Sequence, residues 1–574
     1  MNVSSLKILL VFASMLALLA CNDRVQPHQA HTILTNGNIY TMNPEQPWAQ
    51  AVAIQEGRFA YVGNAKEVHQ YRGENTRVID LQGKMALPGL FDAHVHPVLA
   101  GVEQKYDCSF YPSADAVQIA ERLSGCVEAL PDAQWIVGGR WDSDFFIRNH
   151  IQSPRLWLDM ISTDKAISLQ DDTGHNRWVN SKALELAGID KTTRIEGGDI
   201  VLDKNSGEPN GLLYEAAMYP ILQLIPERTA EEYQQVAEEV LAQATAYGIT
   251  GIKEAGDSHH GVRAYKALDD AGKLNHHMAV AIAAPFKDEE LSLDLEKLAQ
   301  LRNNNRGKHA NTDFVKLFLD GVPAAPRTAA MLDDYLPEHT GGDTHNGHLL
   351  IAPAKLAGII TTLDALGITV SVHAAGDRAV RVTLDAIEES RRINGNSGLR
   401  HEIAHAGFIH PDDIPRFVSL DVTADASPAI WYPSPIINSI VGALGERGNR
   451  YFPFKDLLEA GVNVTAGSDL PAVLPDMNPW KGIEAMVTRQ HPTGDFPGSY
   501  WPEQAISLHQ ALEISTLGGA RALKLLGQTG SIQKGKLADM IVIDRQLFDI
   551  PASEISETQV TFTMFGGKVV YEAP

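Results

Sequence analysis

Cysteine is scarce in this chain, with three residues in 574, at positions 21, 108 and 126. Their spacing argues against a cysteine-ligated metal site. Basic residues are also few: 48 Lys and Arg stand against 71 Asp and Glu, a net charge of -23. Such a chain repels phosphate backbones and anionic lipid surfaces, which removes nucleic acid as a partner. There is no tandem repeat or low-complexity tract, and the 47 Gly and 30 Pro are scattered, as in a globular enzyme. The longest apolar run, Ile8 to Ala20, is too short to span a bilayer.

That run reads instead as a targeting segment. Lys7 gives it a positive start, and Leu18-Leu19-Ala20-Cys21 closes it. The closing tetrad resembles a bacterial lipobox, in which Cys21 is lipidated after cleavage; an ordinary secretory signal cut near Ala20 is the alternative. Either reading exports the protein, to the periplasmic or cell-surface side, with any membrane attachment made only through a lipid at Cys21. An oxidising compartment permits Cys108 and Cys126 to pair, two buried thiols being the other possibility.

What remains is organised in three styles. Short alternating strands broken by turns fill residues 32–86, and "GSIQKGKLADMIVID" and "VTFTMFGGKVVYE" repeat the style within 528–574, which suggests one β-sandwich completed from both termini. Between them, apolar strand-like runs alternate with helical patterns, the signature of a parallel sheet. Eight such runs are expected at 87–94, 248–255, 277–284, 313–321, 367–375, 400–406, 421–428 and 461–469, with helices such as 229–246, 353–366 and 376–392 between them. The count fits an α/β fold of the (β/α)8 TIM-barrel type, occupying 87–97 and 229–527. Residues 98–228 are too many for one loop and read as an inserted domain beside the barrel mouth.

His94 and His96 stand two apart at the end of the first expected strand, a spacing that lets two imidazoles reach one ion. Among 21 histidines such a pair is weak evidence alone. It gains weight because Lys316, His373, His405 and Asp469 fall at the ends of other expected strands, so all would face the same barrel mouth. Several imidazoles with a carboxylate suit a divalent ion such as Zn2+, which makes hydroxide available near neutral pH.

"LPGLFDAHVHP" and "GKLADMIVID" resemble the first-strand metal motif and the C-terminal signature of the amidohydrolase superfamily. "DDTGHNRWVNSKAL", "GEPNGLLYEAA", "DFVKLFLDG", "SVHAAGDRAV" and "VTAGSDLP" are similar to its branch containing N-substituted formamide deformylases. The resemblance runs from about Thr32 to the C-terminus. It implies that His94 and His96 bind one metal, His373 and His405 a second, and Lys316 bridges them as a carbamate. Asp469 is then the general base, and His175, in "TGHNRWVN", a substrate or oxyanion contact. His401 and His410 fall outside the matching positions. Where relatives commonly read His-Arg-Ile-Glu-His-Ala, this chain reads His401-Glu402-Ile403-Ala404-His405-Ala406, which removes a carboxylate beside the ligand. The implied activity is hydrolysis of an amide, formamide or cyclic amide in a small-molecule substrate. An ester or lactone hydrolase on the same site and a non-catalytic exported binding protein are the alternatives.

Overall fold

The computed structural model describes residues 29–574 except 113, 143–144, 258–259, 289, 325–326, 338–343, 428–430 and 473–475. The targeting segment and Cys21 therefore lie outside the described residues. No helix among the described residues is long and apolar enough to cross a membrane.

Eight parallel strands form the centre: β1 (Leu90–Val95), β2 (Ile249–Asp257), β3 (His277–Ala283), β4 (Ala310–Phe318), β5 (Thr369–Ala374), β6 (Glu402–His405), β7 (Thr423–Asp425) and β8 (Asn463–Thr465). They are hydrogen-bonded in that order, β1 to β8. The last gap is closed by backbone bonds beyond the ladder: Ala93 N donates to Ala466 O at 3.1 Å, and Asp469 N donates to His94 O at 2.7 Å. Strand alternation sorts the side chains. Val315 and Leu317 of β4, with Val370 and Val372 of β5, join helix residues such as Ile360 and Leu384 in the large outer core. Phe314 instead packs with Phe91, Ala279 and Ala281. Burial of each such side chain contributes roughly 1.5–3 kcal/mol.

The helices start where their sequences allow. Thr229 caps the helix Ala230–Ala246 by accepting from Glu232 N, while the Glu232 carboxylate accepts from Thr229 N, a reciprocal box that satisfies two otherwise orphaned donors.

The expected first strand, 87–94, is divided. Met85–Pro88 pairs with Met540–Ile543 in a terminal sheet, and the barrel strand begins only at Leu90. The break falls at Gly89, where a Cβ would lie 2.1 Å from Thr250 Oγ1. A glycine therefore lets the chain pass between sheets at close quarters.

Two further sheets are built from the chain ends. One runs Arg58–Gly63, Ala51–Gln55, Thr32–Thr35, Arg77–Asp80; the other runs Lys568–Glu572, Val560–Phe565, Met540–Ile543, Met85–Pro88, Asn38–Tyr40, Trp48–Ala49. Leu34, Val52, Ile54 and Phe59 of the first pack with Ile39, Met540, Val542 and Phe562 of the second. Within 98–228 a mixed six-stranded sheet extends from Gly198–Leu202 to Cys108–Ser109. Cys108 is disulfide-bonded to Cys126 on the helix Ala116–Ala129, Cα to Cα 6.2 Å.

Candidate metal and catalytic site

His94 lies on β1, Lys316 on β4, His373 on β5 and His405 at the end of β6. His96 departs from the simple strand picture. β1 ends at Val95, and His96 is the N-cap of a helix, α1 (Pro97–Tyr106), because Pro97 fixes the backbone for the first helical turn. Asp469 likewise lies beyond β8, which stops at Thr465; "AGSD" is a loop that turns back onto β1. His405 and Asp469 have φ of 70° and 54°. A non-glycine residue held there stores strain that surrounding bonds must overcome, a situation concentrated at functional sites.

One ligand atom each of His94, His405 and Asp469 fall within 4.8 Å of one another. His94 Nε2 is 3.6 Å and His96 Nε2 3.4 Å from Asp469 Oδ1. Lys316 Nζ is 3.4 Å from His94 Nε2. The His373 ring stands 4.3 Å from that of His405 and 5.1 Å from that of His175, centroid to centroid. All seven residues singled out by sequence therefore meet at one end of the barrel.

The test of whether these groups suit a cation is which nitrogen each imidazole has free. His94 Nδ1 is 2.7 Å from Asp425 Oδ2, and His96 Nδ1 is 3.1 Å from Glu254 Oε1. His373 Nε2 is 3.1 Å from the Gly321 carbonyl, and His405 Nδ1 bonds the Ser427 carbonyl. Carbonyls and carboxylates accept, so those nitrogens carry protons, and in His94, His373 and His405 the opposite nitrogen keeps its lone pair. That is the outer arrangement of metal-binding histidines. The donor set fits a divalent ion with nitrogen and oxygen ligands.

The charge states agree. Burial, reinforced by neighbouring cationic groups, holds His94, His373 and His405 well below the ordinary imidazole range, so they are neutral. Burial alone would raise Asp469, but His94, His96 and Lys316 together hold it low and anionic. Desolvation pushes the Lys316 amine down to about 8, against the pull of Asp469 and Asp425. His96 differs. Burial disfavours its charge, yet Asp469 and Glu254 raise it to about 9, so a cation binding there displaces a proton.

His175 comes from the loop before the strand Asn176–Val179. Burial opposes its protonation, but Glu215, 2.9 Å from Nδ1, raises it to about 9. Glu215 also accepts the Thr328 hydroxyl at 2.6 Å. A small cavity beside the cluster is lined by the polar Thr173, His175, His405 and Asp469 and by the apolar Val322, Ile436 and Ile440. The two isoleucines lie one turn apart on α2 (Pro435–Leu444).

The partners Asp425, Glu254 and Glu215 were not among the sequence candidates, and neither was Tyr265, whose hydroxyl donates to Glu254 at 2.6 Å. Their signal was an ionisable residue inside an otherwise apolar strand, as in "GITGIKEA". His401 is structural: Val370 N donates to its Nδ1, and its Nε2 lies 3.0 Å from Asp364. His410 caps the turn Pro411–Asp413. Ala404 pairs with His373 across β5 and β6, and the carboxylate of this segment is Glu402, two residues earlier.

The chain is similar to known proteins along most of its length. The LONG AFTER FAR-RED 3 protein of Arabidopsis thaliana is 29% identical over 556 residues, covering 94% of this chain and 92% of that protein. The N-substituted formamide deformylase of Arthrobacter pascens is 28% identical over 557 residues, covering 94% and 98%. An uncharacterized metal-dependent hydrolase from Pyrococcus horikoshii OT3 superimposes with a TM-score of 0.69 at 25% identity, covering 91% of this chain and 99% of that one. Residues 77–571 match the family model described as "Amidohydrolase family", and the chain, with its histidine-rich barrel mouth, belongs to that family of metal-dependent hydrolases.

Proposed function

We propose that this protein hydrolyses a C–N bond in an amide, formamide or cyclic amide whose neighbouring substituent is neutral and apolar. The observation that carries the reading is the convergence of His94, His405 and Asp469 beside a cavity lined by both polar and apolar side chains. Asp469, held anionic, takes a proton from the attacking water and delivers it to the leaving nitrogen. His175, held cationic by Glu215, donates to the carbonyl oxygen as negative charge develops there. Val322, Ile436 and Ile440 desolvate the substituent beside the scissile group.

His94 and His96 would hold one divalent ion and His373 and His405 a second, zinc being the choice of the donor set. Such an ion supplies Lewis acidity and makes hydroxide available near neutral pH. Lys316 would serve as the carbamate bridge: its depressed pKa leaves a share of neutral amine that can add to carbon dioxide with loss of one proton, giving an anionic oxygen ligand in place of a repelled ammonium.

In the same reading the terminal sheets form one β-sandwich from 32–86 and 528–574, and 98–228 is an inserted domain that brings His175 to the mouth. The chain is an exported lipoprotein anchored at Cys21. The Cys108–Cys126 bond supports an oxidising compartment.

The test is a panel of amides, formamides and cyclic amides beside matched esters and lactones, with zinc-loaded protein beginning after Cys21 and an Asp469→Asn variant. Amide turnover that the variant lacks supports the proposal. Turnover of esters or lactones alone replaces the C–N assignment, and ligand binding without any turnover favours a binding protein.

A further inference from the structure

The barrel interior contains a second buried lysine besides Lys316. Lys253 of β2 has no solvent exposure, and its Nζ donates to Glu402 Oε2 of β6 at 2.6 Å and reaches Asp425 Oδ2 of β7 at 3.4 Å. Both carboxylates are also fully buried. Asp425 Oδ2 is at the same time the acceptor for His94 Nδ1 at 2.7 Å, while Asp425 Oδ1 accepts the Ser427 hydroxyl at 3.2 Å. One carboxylate oxygen thus joins the buried lysine to the first imidazole of the site.

Burying three charges is costly, and apolar side chains of similar volume would fill the same space at less expense. The arrangement has a directional consequence that an apolar core lacks. Lys253 neutralises the repulsion between Glu402 and Asp425, and it pins the Asp425 oxygen that faces His94. With that oxygen fixed, His94 keeps its proton on Nδ1 and its lone pair on Nε2, which faces Lys316 Nζ and Asp469 Oδ1.

We infer that Lys253 is a positioning residue for the metal site: with Glu402 it holds Asp425 so that His94 is locked as a Nε2 ligand. The inference rests on the metal-hydrolase reading. It concerns residues on three different strands, all buried in the barrel interior, so its effect passes through His94.

The experiment measures zinc affinity by competition with a chromophoric chelator for the soluble chain, its Lys253→Met variant and the double variant Lys253→Met/Glu402→Gln, with thermal unfolding of each metal-free protein alongside. The expected result is a roughly 10- to 100-fold weaker affinity in Lys253→Met, the range found when an outer partner of a ligand is lost. Affinity should stay weakened in the double variant, where the uncompensated carboxylate is gone but Asp425 is still not held; full recovery would assign the effect to charge repulsion alone and overturn the positioning role. Destabilisation of the metal-free Lys253→Met protein with wild-type zinc affinity would overturn the inference. A neutron structure of the metal-free wild type decides independently of any variant. Protons on His94 Nδ1 and three on Lys253 Nζ are expected; a proton on His94 Nε2 instead would refute the lock. If the wild type takes up no zinc, the metal-hydrolase reading fails, while the neutron result still reports on the Lys253, Asp425 and His94 connection.

Discussion

Replacing Gly467 with alanine perturbs the site without touching a functional group. Gly467 lies in the loop between β8 and Asp469, pressed against the end of β1: a Cβ there would stand 2.3 Å from His94 N, 2.5 Å from His94 O and 2.6 Å from Asp92 Oδ1. Two of the three are backbone atoms that no rotamer change can move. Restoring an ordinary carbon contact requires the loop to retreat by about 1 Å, whereas a metal site tolerates about 0.2 Å in its ligand distances. The retreat pulls on three bonds that close the barrel: Ala93 N to Ala466 O, Asp469 N to His94 O, and Ser468 N to Asp92 Oδ1 at 3.0 Å. At about 1 kcal/mol for each bond and about 1–3 kcal/mol for overpacking, the expected destabilisation is about 4–6 kcal/mol. Metal should be lost in parallel, because Asp469 moves away from His94. Urea unfolding and elemental analysis of Gly467→Ala measure both. A variant with wild-type stability and full metal content would show that the close approach neither shapes the barrel seam nor places Asp469.

Acid sensitivity has a definite source in His276. Burial, helped by His277, lowers this imidazole to about 3, and its Nε2 lies 3.2 Å from the Thr245 hydroxyl. The unfolded chain binds the proton near pH 6.5 and the folded chain only near 3, so stability is lost as pH falls through that window, by several kcal/mol at most. Unfolding midpoints of His276→Asn should therefore fall less between pH 6.5 and 4 than those of the wild type; parallel profiles would reject the assignment. The Cys108–Cys126 bond closes a separation of 18 residues, worth about 3 kcal/mol in chain entropy. Paired Cys→Ser substitution should lower the thermal midpoint in oxidising buffer and abolish any effect of reductant, and a midpoint unchanged from wild type would contradict it.

The barrel was legible because its strands are apolar runs with ligand types at one end, and the expected ranges overlap all eight observed strands. Their ends were less legible. Periodicity cannot show that β7 and β8 stop after three residues, or that His96 belongs to a helix start set by Pro97, since both depend on bonds from neighbouring segments. The partners that orient the imidazoles were hidden for a related reason. Asp425, Glu254 and Glu402 come from three different strands, and only closure of the barrel brings Asp425 to His94, 331 residues away in sequence. His175 was legible only through a family motif, because its place beside His373 depends on how residues 98–228 sit at the mouth.

The central claim is a binuclear metal site bridged by Lys316, and elemental analysis of the purified soluble chain against Lys316→Ala tests it most directly. The account predicts about two divalent ions per wild-type chain, as in carboxylate-bridged hydrolytic sites, and a sharp fall in the variant with the fold retained. Metal content that is absent in the wild type after metal-replete expression, or unchanged in the variant, would contradict it.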